Sequence, residues 1–188
     1  MPYRRLPNTD NARIRALRTA IDKSKQSFNK IITPDIIHTE AQLRRFESDQ
    51  ALYRESLNTQ STENRKLQKL IKTARLYISH FIQVLNFAVI RNEIKKEAKA
   101  YYKLVPDNYT VPDLSSNESL LKWGKNIIDG EQKRLSHGGT PIYNPSIARV
   151  NVAYSQFKNA LFSQKLHQTT TNRQLESLSV QRDDIDEI

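Results

Sequence analysis

Apolar residues recur along this chain mostly at steps of three and four, the spacing that places side chains on one side of an α-helix. The first such series follows Asn8 and Thr9, two residue types that cap helices well. Its members are Ile14, Leu17, Ile21 and Phe28. They predict an amphipathic helix over residues 10–28.

A second, much longer series predicts one helix from residue 34 to about residue 92. Thr33 is a good cap, and proline suits the first helical position because its missing N–H is not needed there. Alternating steps of three and four from Ile36 reach sixteen positions, of which twelve are apolar or aromatic. The series keeps its phase through the polar residues 58–64. A break at 58–64 is the alternative, because Asn, Thr and Ser favour non-helical backbone.

The most apolar stretch of the chain, Leu76–Ile90, has apolar residues around nearly the whole circumference of a helix. We therefore expect other helices to surround it. With 15 residues and four polar interruptions, it falls short of the roughly 20 residues of a membrane span. His80, Gln83 and Asn86 follow one another at steps of three and predict a buried polar network or an interhelical contact. The alternative is a ligand or ion site with His80 at its focus.

The remaining elements are shorter. A short helix is possible within Lys95–Leu104, followed by a connector over Pro106–Pro112. Ser115 and Glu118 have the spacing of a capping box, and the helix after them should end at His137–Gly139, where glycine supplies the left-handed cap. The last helix should start at Pro145, capped by Asn144, and continue to the end of the chain.

The two long helices match each other at an offset of 111 residues. The matched positions include Pro34 and Pro145, Phe46 and Phe157, and Leu67 and Leu178. This predicts an internal duplication of a short-helix/long-helix hairpin. The expected fold is all-α: a four-helix bundle in a single domain, residues 1–188, with a first hairpin over 1–105 and a second over 113–188.

Composition excludes several functional classes. The chain has no cysteine, which excludes disulfides, Cys-ligated zinc and thiol catalysis. It has no glycine-rich phosphate loop, no His-Glu-x-x-His and no Glu-x-x-His pair of the di-iron bundles. We therefore expect no catalytic residues, no metal and no cofactor. The first ten residues lack the apolar core of a secretory signal, so we expect a cytoplasmic protein.

Charge is the remaining functional signal. The chain has 30 Lys and Arg against 20 Asp and Glu, a formal net charge of +10. Arg13, Arg15 and Arg18 concentrate positive charge in the first helix and could contact phosphates. The acidic residues 183–187 could neutralise them if the fold brings the chain ends together. The Tyr143–Pro145 turn, like Trp123, is explained by packing or turn chemistry, or alternatively as a recognition tip.

These patterns favour a non-enzymatic structural or protein-interaction module, with a protein partner or self-association and no membrane span. The long apolar stripes favour a homodimer, because two short helices cover them incompletely. The alternative function is sequence-independent nucleic-acid binding through the basic first helix.

Four segments carry a resemblance to a known family: MPYRRLPNTDNARIRALRTA, ARLYISHFIQVLNFAVIRNEI, WGKNIIDGE and GGTPIYNPSIARV. They resemble a family of uncharacterised all-helical proteins of Bacteroidetes bacteria, and the resemblance spans nearly the whole chain. It implies a helical-bundle fold and assigns no catalytic or binding residue.

Overall fold

The computed structural model describes residues 7–27 and 34–187. Within these ranges the protein is helical and contains no β-strand, which confirms the all-α prediction. The elements are α1 (Asp10–Ser27), α2 (Pro34–Ile90), a 3-10 helix (Lys96–Tyr102), α3 (Asn117–Ser136) and α4 (Ile147–Asp186).

The first two helices follow the sequence pattern closely. Thr9 caps α1, because its hydroxyl oxygen accepts the backbone N–H of Ala12 at 3.2 Å. Helix α2 is continuous through residues 58–64, so the prediction of one long helix is confirmed. It ends two residues before Asn92, whose φ of 59° is left-handed. The predicted positions of Phe28 and of the Thr33 cap lie outside the described residues.

The start of α3 differs by one residue from the prediction. Ser116, not Ser115, is the cap, and its hydroxyl accepts the backbone N–H of Ser119 at 3.0 Å. Ser115 instead donates its backbone N–H to the Asp113 carboxylate at 2.9 Å, which holds it in the preceding turn. The far end agrees with the sequence: His137 is the C-cap, and Gly138 after it has a left-handed φ of 82°.

The start of α4 also differs. The helix begins at Ile147, two residues after the predicted first residue, Pro145. Ser146 holds the cap position, because its carbonyl accepts the backbone N–H of Val150 at 3.2 Å. The Asn144–Pro145 peptide bond before it is cis. Asn144 is therefore part of the loop and not the cap.

The described residues divide into two compact units. Unit 1 contains α1, α2 up to Ser61, and α4 from Lys165 onward. Unit 2, Thr62–Gln164, contains the rest of α2, the 3-10 helix, α3 and the start of α4. This division differs from the predicted hairpins 1–105 and 113–188, because each long helix contributes to both units.

Unit 1 has a small apolar core with ion pairs beside it. The buried apolar residues of this core are Leu17, Ile21, Ile36, Leu43, Phe46, Leu178 and Ile185. The Arg13 guanidinium donates to both carboxylate oxygens of Asp186, at 2.9 and 2.5 Å. Arg182 likewise donates to both oxygens of Asp10, at 2.7 and 2.9 Å. The acidic end of α4 stays helical and pairs with α1, although carboxylates at a helix C-terminus are unfavourable in themselves.

Unit 2 has a larger core into which α3 fits closely. Its fully buried side chains include Phe81, Tyr102 and Phe157. Two glycines allow α3 to approach its neighbours. At Gly130, a Cβ atom would lie 2.7 Å from the Tyr101 carbonyl oxygen, and at Gly124 it would overlap a tyrosine ring of α4.

Candidate functional site

Helix α2 carries an exposed apolar face in unit 2. One side of its apolar stretch is buried, with Ile78, Phe81 and Leu85 fully covered. The other side leaves Leu76, Phe87 and Ile90 exposed by 63%, 56% and 55%. We call the exposed set the α2 face: Leu76, His80, Gln83, Phe87 and Ile90. The expectation that other helices surround this stretch is therefore met on one side only.

The structure separates the three residues of the predicted polar network. His80 and Gln83 are exposed in the middle of the α2 face. Asn86 is buried and donates its side-chain amide to the Tyr109 carbonyl at 3.0 Å, which ties α2 to the loop before α3. Steps of three rotate by about 300° each, so Asn86 lies about 120° around the helix from His80. The three residues thus do not form one buried network.

A hollow of about 440 Å³ adjoins the C-terminal end of α2; we call it the loop hollow. It is lined by Val84 and Ala88 of α2, by Arg91 directly after the helix, and by the loop 140–143. Tyr143 is 79% exposed at its edge. Trp123, in contrast, is partly buried and packs against the core of unit 2. Of the two candidates for a recognition tip, only Tyr143 is thus exposed.

A buried charged network holds the loop of this hollow in place. The Arg134 guanidinium donates to Glu131 Oε1 at 2.8 Å and to the Thr140 carbonyl at 2.7 Å. Tyr102 donates its hydroxyl to the same glutamate. Burial raises the pKa of Tyr102, and the hydrogen bond to Glu131 raises it further, so the hydroxyl keeps the proton that it donates. Sequence reasoning missed this network, whose one local signal is a Glu–Arg pair three residues apart on α3.

A second hollow, of about 420 Å³, lies between α2 and α4 within unit 2; we call it the helix hollow. Thr73 and Tyr77 line it from α2, and Arg149, Val152 and Gln156 from α4. Thr73 and Tyr77 precede the α2 residues of the loop hollow at helical spacing, so both hollows open on the same side of α2.

The cations of unit 2 continue the α2 face towards the start of the helix. Arg65, Lys69 and Lys72 are exposed and precede Leu76 by eleven, seven and four residues, which places them in line with the face. From Asn64 to Asn92 the chain has six Lys and Arg and no Asp or Glu. Unit 2 as a whole has 16 Lys and Arg against 8 Asp and Glu. This excess of positive charge in unit 2 is visible in the sequence itself.

The three arginines proposed to contact phosphates are mostly engaged within unit 1. Arg13 forms the two-point ion pair with Asp186 described above. Arg18 lies 2.5 Å from a carboxylate oxygen of Glu47. Arg15 is exposed. Carboxylates thus hold two of the three, and the acidic chain end supplies the partner of Arg13 only.

The described part of the chain contains neither of two further kinds of site. None of its helices is both long and apolar enough to cross a bilayer. The same residues include no cluster of three or more His, Asp or Glu side chains that could hold a metal ion. Comparison of the chain with models of known protein families, with curated proteins and with solved structures gave no match.

Proposed function

We propose that the protein is a non-enzymatic interaction module and that another protein chain binds the α2 face. The observation that carries this proposal is the alignment of Leu76, Phe87 and Ile90, each more than half exposed, on one side of a helix. A single exposed apolar side chain is ordinary, whereas an aligned series beside two hollows is typical of sites where a helix docks. Full burial of one such side chain contributes about 1.5–3 kcal/mol.

We also propose that the chain contains an internal duplication and that its two hairpins form a four-helix bundle. The support for this proposal is that three pairs of positions 111 residues apart are buried in both long helices. Phe46 and Phe157 are both fully buried, Leu67 and Leu178 are 2% and 0% exposed, and Ala74 and Ile185 are 0% and 8% exposed. Each unit also combines one short helix with one part of each long helix.

We include in the proposal a cytoplasmic location, action without a cofactor, and membership of the family that the sequence resembles. These parts are supported by the sequence patterns alone. The interaction at the α2 face does not depend on them.

A site-specific cross-linker tests the interaction. A photoreactive phenylalanine analogue replaces Phe87 in one variant and Val180 in a control variant. Val180 is a matched control because it is 57% exposed on α4 in unit 1. After irradiation in cells of the source organism, we expect nuclease-resistant adducts of higher mass from position 87 and not from position 180.

Two results would overturn the proposed function. One is the absence of adducts at position 87. The other is adducts that nuclease removes, which would favour the nucleic-acid alternative. An adduct of twice the chain mass of 21.8 kDa would identify the bound protein as a second copy.

A further inference from the structure

We infer that the occupant of the α2 face is an acidic amphipathic helix of another protein, lying along α2 from Arg65 to Ile90. The inference rests on the proposed function and adds the chemistry of the partner. The α2 face and its cationic extension form one series of exposed residues at steps of three and four. In chain order they are Arg65, Lys69, Lys72, Leu76, His80, Gln83, Phe87 and Ile90.

The positive charges of this series favour a partner that carries carboxylates. Among the described residues, no Asp or Glu oxygen lies within 4.0 Å of the charged groups of Arg65, Lys69 or Lys72. Some other cations of unit 2 have a carboxylate partner: Arg91 pairs with Glu93 at 2.7 Å, and Arg134 with Glu131 at 2.8 Å. The positive charge of Arg65, Lys69 and Lys72 is unmatched among the described residues, and it lies in line with the exposed apolar residues of α2. Complementary charge of the opposite sign steers and selects a partner.

The shape of the protein surface beside the α2 face favours a helical partner over a flat one. Two hollows of about 420 and 440 Å³ open on the same side of α2. Side chains projecting from a helix can enter such hollows, as in other helix-in-groove complexes. A bilayer would meet the cations and the exposed apolar residues but leave the hollows unfilled.

A second copy of this chain fits the charges poorly. Its own α2 face would bring another cationic series and no carboxylate between Asn64 and Asn92. Like charges that face each other across an interface disfavour pairing. The charge pattern therefore points to a different chain.

The order of residues along α2 also predicts the layout of the partner. Cations occupy the first part of the series and apolar residues the last part, over 26 residues or about 39 Å of helix. The partner should carry Asp or Glu where it lies against Lys69 and Lys72. Where it lies against Leu76, Phe87 and Ile90, it should carry apolar residues at steps of three and four.

Two designed 25-residue peptides test the inference with the full chain. The acidic peptide has leucines at helical spacing in one half and glutamates in the other, and its basic twin has lysine in place of each glutamate. Fluorescence anisotropy should show the acidic peptide bound at least about tenfold more tightly at low salt, with the preference shrinking as salt rises.

Charge reversal on the protein makes the test specific. The double variant Lys69→Glu, Lys72→Glu should lose about tenfold in affinity for the acidic peptide and gain affinity for the basic twin. The control is Lys158→Glu, at an exposed lysine of α4 in unit 2. Phe87→Ser should weaken binding of both peptides, whereas Val180→Ser should not. All of these positions are exposed, so circular dichroism should show every variant folded.

Several outcomes would overturn the inference. These are equal binding of the two peptides, no binding of either, or no response to charge reversal. A dimer in sedimentation equilibrium that Phe87→Ser dissociates would assign the face to a second copy. Binding to phosphatidylserine vesicles that depends on Lys69 and Lys72 would assign it to a membrane surface. If position 87 nevertheless forms protein adducts in cells, the proposed function stands and only the acidic chemistry fails.

Discussion

The two units differ in how their charged side chains are paired. Unit 1 joins its helices by ion pairs: Arg13 with Asp186, Arg182 with Asp10, and Lys25 with Glu40 at 2.5 Å. The hydrogen bond from Arg182 holds the pKa of Asp10 below its ordinary value. Unit 2 buries one charged network, at Arg134, and leaves Arg65, Lys69 and Lys72 of α2 without an acidic partner among the described residues.

The two units also differ in the size of their apolar cores. Unit 1 buries seven apolar side chains, and its ion pairs supplement a small core. Among the described residues, the core cluster of unit 2 contains sixteen buried apolar side chains. This contrast teaches that local charge density alone does not show which cations lack a partner. Arg13 of α1 is held by Asp186 within unit 1, whereas Lys69 and Lys72 of α2 have no carboxylate within 4.0 Å among the described residues.

The strongest test of this comparison truncates one fully buried side chain in the core of each unit. Phe46→Ala in unit 1 and Phe157→Ala in unit 2 should each lower the free energy of unfolding by about 3–5 kcal/mol, since both rings are fully buried. Trp123, the one tryptophan of the chain, reports on unit 2. In urea titrations of Phe157→Ala, the unfolding midpoint from Trp123 fluorescence should shift at least as far as the midpoint from circular dichroism. Phe46→Ala should shift the fluorescence midpoint less. Identical shifts by both probes for both variants would mean that the units unfold as one.

The buried network of unit 2 gives a second test. Glu131→Gln leaves the Arg134 guanidinium buried without its carboxylate, and breaking a buried pair in this way costs about 3–5 kcal/mol. The exposed Glu118 on the same helix provides the control, Glu118→Gln, with a change within about 0.5 kcal/mol. Because Arg134 also holds the Thr140 carbonyl, amide hydrogen exchange should rise in loop 140–143 of the Glu131 variant. Unchanged stability would show that the network contributes nothing to unit 2.

The smallest expected effect concerns the arginines of α1. Arg13→Gln removes a two-point ion pair that is partly buried, and we expect a loss of about 1–2 kcal/mol in unfolding free energy. Arg15→Gln, at an exposed position of the same helix, should change it by less than about 0.5 kcal/mol. A double-mutant cycle with Asp186→Asn isolates the coupling between the two side chains. If Arg13 and Arg15 behave alike, unit 1 does not depend on its ion pairs.

Much of the fold could be predicted from the sequence, because helical periodicity is a local property. The apolar series of α2 kept its phase through residues 58–64, and the helix is continuous there. The left-handed Gly138 marked the end of α3 for a local reason. The starts of α3 and α4 were misplaced by one and two residues, because Ser115 and Asn144 are as suitable for capping as Ser116 and Ser146.

The candidate site was less predictable, because exposure depends on which elements lie opposite one another. An apolar stretch predicts burial on every side, yet α2 exposes Phe87 and Ile90. His80 and Asn86 are close in sequence, yet they lie on different sides of the helix. The partner of Arg13 lies 173 residues away, and no spacing rule connects the two.

The glycines of α3 have a consequence for the order of folding. Each interior glycine lowers the stability of an isolated helix by about 1 kcal/mol relative to alanine, and α3 contains Gly124 and Gly130. Alone, this segment would seldom be helical, and it acquires order only against the tyrosine rings and backbone that the glycines approach. Helix α3 should therefore dock after the folding transition state, so exposed substitutions in it should speed unfolding and leave the folding rate almost unchanged.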